Sequence, residues 1–500
     1  MTQLSRRTIL KAGVAGLAAS TLPGIAFARA KDGQAALEKA AKEGRLYDAI
    51  VIGAGAAGLT AAISAIDNGA KNVALLEQKD RPDGNAIYAL GSVCGWGSKR
   101  QISEGIKDTA EDFYKAMMHV SNGRADPALT RQYTNDIPAG LDWLQEVVGV
   151  KFGKVKRAPY PREFRVNKIN GEGITGGAKL VQKLLALAKK RGVKFLWENR
   201  ATRLLTDNKG GVIGVAVMTP EGRKAYFTKG GVTIATGGFS ANPEMTDKYI
   251  GGWASRLAIR GSRSTTGANI ALTLPLNAKM VNMDQFHAGP IIAETHVNPN
   301  EVLNSGYGII VDARGKRFVD EKNTYVIKAK AAAQLTIENK AWAIVDSDCK
   351  VIDKMTKRFQ RLNTKYYTAN TIEELAKQIN IAPAVLQKDV DDYNNAVKNG
   401  TLKQMNPPCS YPKPFPIAKA PFFAIPYEGG MTATFGGPLI NPKAEVQSLE
   451  GKSIPGLYAA GNAAGGLFFR DYIGGAQLGG ATVFGRIAGR EMAARAKAAK

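Results

Sequence analysis

Cysteine and histidine are scarce: three of each occur in 500 residues. Cys94, Cys349 and Cys409 cannot all pair, and no C-x-x-C or C-x-x-C-H occurs. The chain therefore carries neither a redox dithiol nor a c-type haem of its own, and each thiol reads as a small buried hydrophobe. His119, His287 and His296 are too few and too scattered for a metal-ligand spacing, so no metal is expected. Acidic side chains are also few, 43 against 68 Lys and Arg, for a formal charge of +25. Removing the four basic side chains of residues 1–30 leaves +21. That favours contact with anions: an acidic redox partner, an anionic substrate or a membrane surface. The lysines are scattered and not interleaved with aromatics, which argues against nucleic acid. Past the N-terminus no apolar run is long enough to span a bilayer.

What is present starts at the N-terminus. Ser5-Arg6-Arg7-Thr8-Ile9-Leu10-Lys11 resembles a twin-arginine export signal. A mildly apolar stretch from Ala12 to Phe27 follows, interrupted by Pro23, and Ala28-Arg29-Ala30 suits cleavage. Residues 1–30 are thus expected to be a signal peptide, and the mature protein to reside in the periplasm.

The mature chain is organised around residues 48–77. Asp48 to Ile52 is the short β-branched run of a fully buried strand. Gly53, Gly55 and Gly58 follow as G-x-G-x-x-G, then an Ala-rich helical stretch to Asn68, closed by Gly69. A second strand, Asn72 to Leu76, delivers Glu77. Gly53 permits a tight turn, Gly55 lets the backbone approach a pyrophosphate, and Gly58 lets helix and strand pack closely. The helix N-terminus attracts phosphate and Glu77 can hold a ribose hydroxyl. A dinucleotide site is the expectation.

Further along, Asp83 to Ala86 and Ala89 to Ser92 are small-residue stretches that admit close backbone approach to a cofactor. Residues 32–43, 101–148 and 176–191 read as helical. Strands are expected at 193–197, 201–205, 212–218 and 225–228, the last three forming a small β-meander. Val232 to Ala235 is another buried strand, running into Thr236-Gly237-Gly238-Phe239.

That strand with its ATGGF end resembles the second flavin signature of the fumarate reductase and flavocytochrome c flavoproteins. Ile454-Pro455-Gly456-Leu457-Tyr458-Ala459-Ala460-Gly461-Asn462 resembles their IPGLYAAGE. Phe484-Gly485-Arg486-Ile487-Ala488-Gly489 resembles the closing FGRIAG, and Gly315 to Glu321 resembles GKRFVNE. The likeness covers about residues 46–495. It implies an α/β fold: a Rossmann-like FAD-binding domain, 45–283 and 419–500, with an inserted α+β capping domain at 284–418. It implies FAD, held by Gly53, Gly55, Ala56, Ala57, Gly58, Glu77, Gln78, Asn85, Ala86, Leu90, Gly91, Ala201, Ala235, Thr236, Gly237, Gly461, Asn462, Gly475, Ala476 and Leu478. No histidine lies within 85–97 to tether the flavin, so binding is expected to be noncovalent.

Departures from the family pattern carry most of the functional information. The family's His-His-Thr-Met-Gly-Gly is Thr432-Ala433-Thr434-Phe435-Gly436-Gly437 here. The position of its proton-donor Arg falls on Tyr325, and that of its carboxylate-binding Arg on Tyr472. Its relay Glu is matched by Glu301, whose Arg neighbour becomes Asn304. The guanidinium fork for two carboxylates has largely gone, with Arg470 as a candidate partial replacement. A tyrosine before a similar Gly-rich turn also resembles the 3-ketosteroid dehydrogenases, where a Tyr handles the proton. The resemblance implies catalytic or substrate-facing roles for Tyr472, Tyr325, His287, Arg470 and Glu301. Tyr325 and Tyr472 also read as apolar packing, and His287 as a structural histidine.

The expected function is an exported FAD oxidoreductase that moves a hydride between flavin N5 and an activated C–C single or double bond. Its substrate is expected to be other than fumarate. Its electron partner would be separate: a c-type cytochrome or a quinone-linked protein. The alternatives are a fumarate-type reductase with rearranged arginines, and an electron-relay flavoprotein.

Overall fold

The computed structural model describes residues 33–158, 163–303 and 306–499. The expected export signal, with Arg6 and Arg7, lies outside them, as does Asn304. At the centre is a six-stranded sheet ordered 445–447, 453–459, 232–234, 49–52, 73–76, 194–196. All neighbours are parallel except the first pair. Ala49–Ile52 and Val73–Leu76 are buried at every residue, because helices and the strands Val212–Thr219 and Gly222–Thr228 pack against this sheet. Such strands cannot alternate polar and apolar side chains.

One of those covering layers depends on small side chains. Helix Ala56–Asp67 packs against the closing helix Ala476–Ala498. A Cβ on Gly489 would lie 2.3 Å from the Ala61 carbonyl oxygen, and one on Gly485 2.8 Å from that of Ala57. The meander is present as Arg200–Thr206, Val212–Thr219 and Gly222–Thr228, antiparallel throughout, with Leu46–Tyr47 added in parallel at its edge. Residues read as one helical region, 101–148, are three helices: Lys99–Ser103, Ala110–Val120 and Pro127–Glu146.

The inserted unit has its own antiparallel sheet, ordered 309–312, 341–346, 422–426, 367–369. Phe422–Pro426 pairs there with Ala341–Asp346, so the crossing at 418/419 read from the sequence falls before this sheet is complete. The GKRFVDE stretch serves this unit from within. The Arg317 guanidinium grips Glu321 at 2.9 and 2.7 Å, both buried, and Glu321 also accepts the Ile310 amide at 3.1 Å. A bidentate, fully hydrogen-bonded pair of this kind holds a tight loop against its strand.

Between the units runs an antiparallel ribbon, Phe286–Ile291 with Glu428–Thr434, with its register shifted between His287 and Ala288. Helix Tyr325–Leu335 lies across it. Among the described residues no helix is long and apolar enough to cross a membrane.

Candidate active site

A cavity of about 880 Å³ runs from Glu77 to Tyr472. It opens beyond the C-terminal ends of the parallel strands, where an open α/β sheet leaves room for a ligand. Gly53 has φ +106°, and a Cβ there would lie 2.6 Å from the Ala235 carbonyl oxygen. Gly58 sits behind the wall: its Cβ would lie 1.9 Å from the Gly53 carbonyl oxygen. It is the packing glycine that the motif requires, and it does not face the cavity. Gly55 is the N-cap of helix Ala56–Asp67 and lines the cavity, so the helix N-terminus is open to an anion.

Glu77 is 7% exposed. Its carboxylate accepts the Ala54 amide at 2.9 Å and the Lys79 amide at 3.1 Å, which fixes the turn as well as the cavity wall. Burial raises its pKa, and those amides partly offset the shift. Asn85 stitches the cofactor side to the substrate side. Its oxygen accepts the Ser262 amide at 2.8 Å and its amide donates to the Thr432 carbonyl at 2.9 Å. Of the other cofactor positions read from the sequence, Gln78, Ala86, Leu90, Gly91, Ala201, Ala235, Thr236, Gly237, Gly461, Asn462, Gly475 and Leu478 line the cavity. Ala476 does not; it is buried in the first turn of the closing helix. The N-cap of that helix, Gly475 at φ +97°, does face the cavity.

The far end is lined by three aromatic rings that are distant in sequence. Tyr325 and Tyr472 hydroxyls are 2.8 Å apart. His287 Nε2 is 3.1 Å from the Tyr325 hydroxyl, and its Nδ1 is 3.1 Å from Gln477 Oε1. Gln477 in turn donates to Asn462 Oδ1 at 3.3 Å. Burial first, then the Arg260 charge, depresses the His287 pKa to about 3, so the ring is neutral. The glutamine oxygen takes the Nδ1 proton. Nε2 is then an acceptor, Tyr325 donates to it, and Tyr472 donates to Tyr325. Burial pushes Tyr325 up to about 12 and Tyr472 well above its ordinary value, so both phenols hold their protons at neutral pH.

The tyrosines are placed by a strap between the two units. Thr324 caps helix Tyr325–Leu335 and donates to Asp471 Oδ2 at 2.5 Å. The Tyr472 amide donates to the other Asp471 oxygen at 2.7 Å. Lys330 Nζ donates to the Arg470 carbonyl at 2.5 Å.

Two sequence expectations are placed differently. Arg470 has φ +61° and an exposed side chain that donates to Asn122 Oδ1 at 3.0 Å; it does not line the cavity. Glu301 lines the cavity, but its side chain is 43% exposed and ion-paired to Lys354 at 2.8 Å. Arg260, which the sequence reading missed, is the guanidinium on the cavity wall beside the tyrosines. Gln477 was missed too. Gln477 stands between Ala476 and Leu478 of the cofactor stretch, whereas Arg260 belongs to no motif of the sequence reading.

Residues 48–483 match the family model described as FAD binding domain. The acrylate reductase flavoprotein subunit of Shewanella woodyi (strain ATCC 51908 / MS32) is 27% identical over 514 residues, 98% of each chain. The open conformation of a flavocytochrome c3 fumarate reductase superposes with a TM-score of 0.76 at 27% identity, over 95% of this chain and 83% of that one. The 3-ketosteroid-Δ4-(5α)-dehydrogenase from Rhodococcus jostii RHA1, in complex with 4-androstene-3,17-dione, gives 0.75 at 25% identity, over 90% and 97%.

Proposed function

The chain belongs to the FAD-binding-domain family, and on that premise we propose that it is an exported ene-reductase whose substrate is other than fumarate. Its class, an FAD-dependent oxidoreductase acting on C=C or CH–CH groups, follows from its relatives. The observation that carries the finer reading is the row His287–Tyr325–Tyr472 at the end of the cavity. Bound FAD supplies hydride chemistry at that end.

The glycine turn and helix N-terminus suit the pyrophosphate, Glu77 the ribose, and Gly475 with the closing helix the pyrimidine edge of the ring. Tyr472 holds a proton on an oxygen that faces the cavity. It gives that proton to the substrate carbon next to the one receiving hydride. Tyr325 then passes its own proton to the Tyr472 oxygen over 2.8 Å and regains one from solvent in the open cavity. Neutral His287 orients Tyr325 through Nε2, while Gln477 fixes its tautomer. Two protonated phenols suit donation, hence reduction of the double bond. The two arginines that the fumarate reductase resemblance calls for are tyrosines here, which supports a substrate other than fumarate.

A screen tests this reading: enones, aromatic enoates and fumarate with reduced viologen, and their saturated forms with a dye acceptor. Turnover of an enone or enoate well above fumarate is expected. Fast fumarate reduction would overturn the substrate reading, and no turnover of any pair would leave only electron relay. The +21 charge beyond residue 30 suits an acidic redox protein as the electron source.

Two further expectations concern cofactor and location. Residues 85–97 hold no histidine, so FAD is bound noncovalently and acid precipitation should leave yellow FAD in the supernatant; a yellow pellet would contradict this. Replacing Arg6 and Arg7 with Lys should retain the precursor in the cytoplasm. Undiminished periplasmic activity of that variant would remove the export assignment.

A further inference from the structure

We propose that Arg260 is the substrate anchor of this cavity and that the substrate is a 2-enoate carrying a single carboxylate. The inference rests on the ene-reductase reading and specifies what that site takes. Three observations carry it.

The first is the absence of a counter-ion. Arg260 has no acidic partner among the described residues; its one hydrogen bond there from the side chain runs from Nη1 to Thr432 Oγ1 at 2.7 Å. A guanidinium carries five N–H donors and stays charged in proteins. Burial lowers its pKa, and the ionisable groups around it are Tyr325, Tyr472 and Tyr427, all protonated, and neutral His287. A cation withdrawn from water is stable only when an anion pairs with it.

The second is that the fold makes room for this side chain. Gly289 and Gly430 face each other across the ribbon. A Cβ on Gly289 would lie 1.6 Å from Arg260 Nη1, and one on Gly430 2.7 Å from its Cδ. The backbone amide of Arg260 is fixed to the Met431 carbonyl at 2.7 Å. Two side-chain-free positions thus form a corridor that leads the guanidinium to the cavity wall.

The third is location. Arg260 lines the tyrosine end, whereas the cofactor's phosphates belong at Gly53–Gly58, at the Glu77 end. A carboxylate on Arg260 puts a conjugated double bond beside Tyr472. Among the described residues, the ionisable side chains facing Arg260 are phenols and a neutral imidazole, so a carboxylate there has one buried guanidinium to pair with. One guanidinium therefore selects one carboxylate.

The test is a binding titration on the oxidised holoprotein, read as the change in flavin absorbance, with 3-phenylpropanoate and with its amide. Wild type should bind the acid more tightly than the amide. Arg260→Gln should weaken the acid by about 10- to 100-fold, the scale of a lost charged hydrogen-bond pair, and leave the amide nearly unchanged. Arg260→Lys, which fits the same corridor and keeps the charge, should fall between; it serves if the Gln variant does not fold. Equal binding of acid and amide by wild type would overturn the proposal. So would an equal loss for both ligands in the variants, which would assign Arg260 to the reduced flavin or to packing. No turnover is needed, so a protein that binds the acid yet reduces no alkene refutes the ene-reductase reading and leaves the anchor standing.

Discussion

Tyr472→Phe is expected to lower kcat by about 10²–10⁴-fold on whichever alkene the wild type reduces best, the usual scale for a lost general acid. The substitution keeps the ring and removes one oxygen. Among the described residues that oxygen has one side-chain partner, the Tyr325 hydroxyl at 2.8 Å. The ring itself packs edge-on to Phe435 and Phe468, and those contacts persist in the variant. Flavin content and Tm should therefore stay close to wild type, which separates loss of a proton donor from loss of structure. Steady-state kinetics beside a flavin absorbance scan checks both. A fully active Tyr472→Phe would return this residue to a packing role and leave Tyr325, one hydrogen bond further from the substrate, as the donor to test.

A second large effect is expected at the other end of the cavity. Gly58→Ala adds one methyl group whose carbon would lie 1.9 Å from the Gly53 carbonyl oxygen and 3.3 Å from the Ala235 Cβ. Backbone, not a flexible side chain, is the obstacle, so helix Ala56–Asp67 must move away from its strand. Overpacking of this kind costs about 1–3 kcal/mol or more. The displacement also opens the turn that carries Gly53 and Gly55. The expected outcome is protein with little bound FAD and a Tm lowered by several degrees, read from the 450 nm absorbance and a thermal melt. Gly55→Ala is the comparison: its Cβ meets only the Asp83 carbonyl oxygen at 3.6 Å. It should fold normally and lose cofactor only through crowding of the pyrophosphate. Full flavin content in Gly58→Ala would contradict the packing role.

The cofactor half of the cavity was legible because its determinants are local. A glycine turn, the helix it caps and the acid ending the next strand lie within thirty residues, and each has a backbone reason to be what it is. The meander was legible for the same reason. The substrate half draws on Arg260, His287, Tyr325, Tyr472 and Gln477, from four separate segments, the last two residues sharing one. Counting along the family pattern located the two tyrosines and the histidine. It could not say that they share hydrogen bonds, because those depend on how a strand, a helix N-terminus and a loop meet, the last two joined through Asp471.

The sequence by itself determined the sheet, the dinucleotide turn and the class of chemistry, since buried strands and close backbone approaches restrict residue types position by position. Which arginine faces the substrate was decided by tertiary structure alone. Arg470 lies two residues from Tyr472, yet its left-handed backbone, φ +61°, turns its side chain out to Asn122. Arg260 is remote from every motif, yet Gly289 and Gly430, on two other segments, clear its way to the cavity. A side chain's direction depends on its own backbone angles and on the volume its neighbours leave, and that volume exists only once the ribbon has formed.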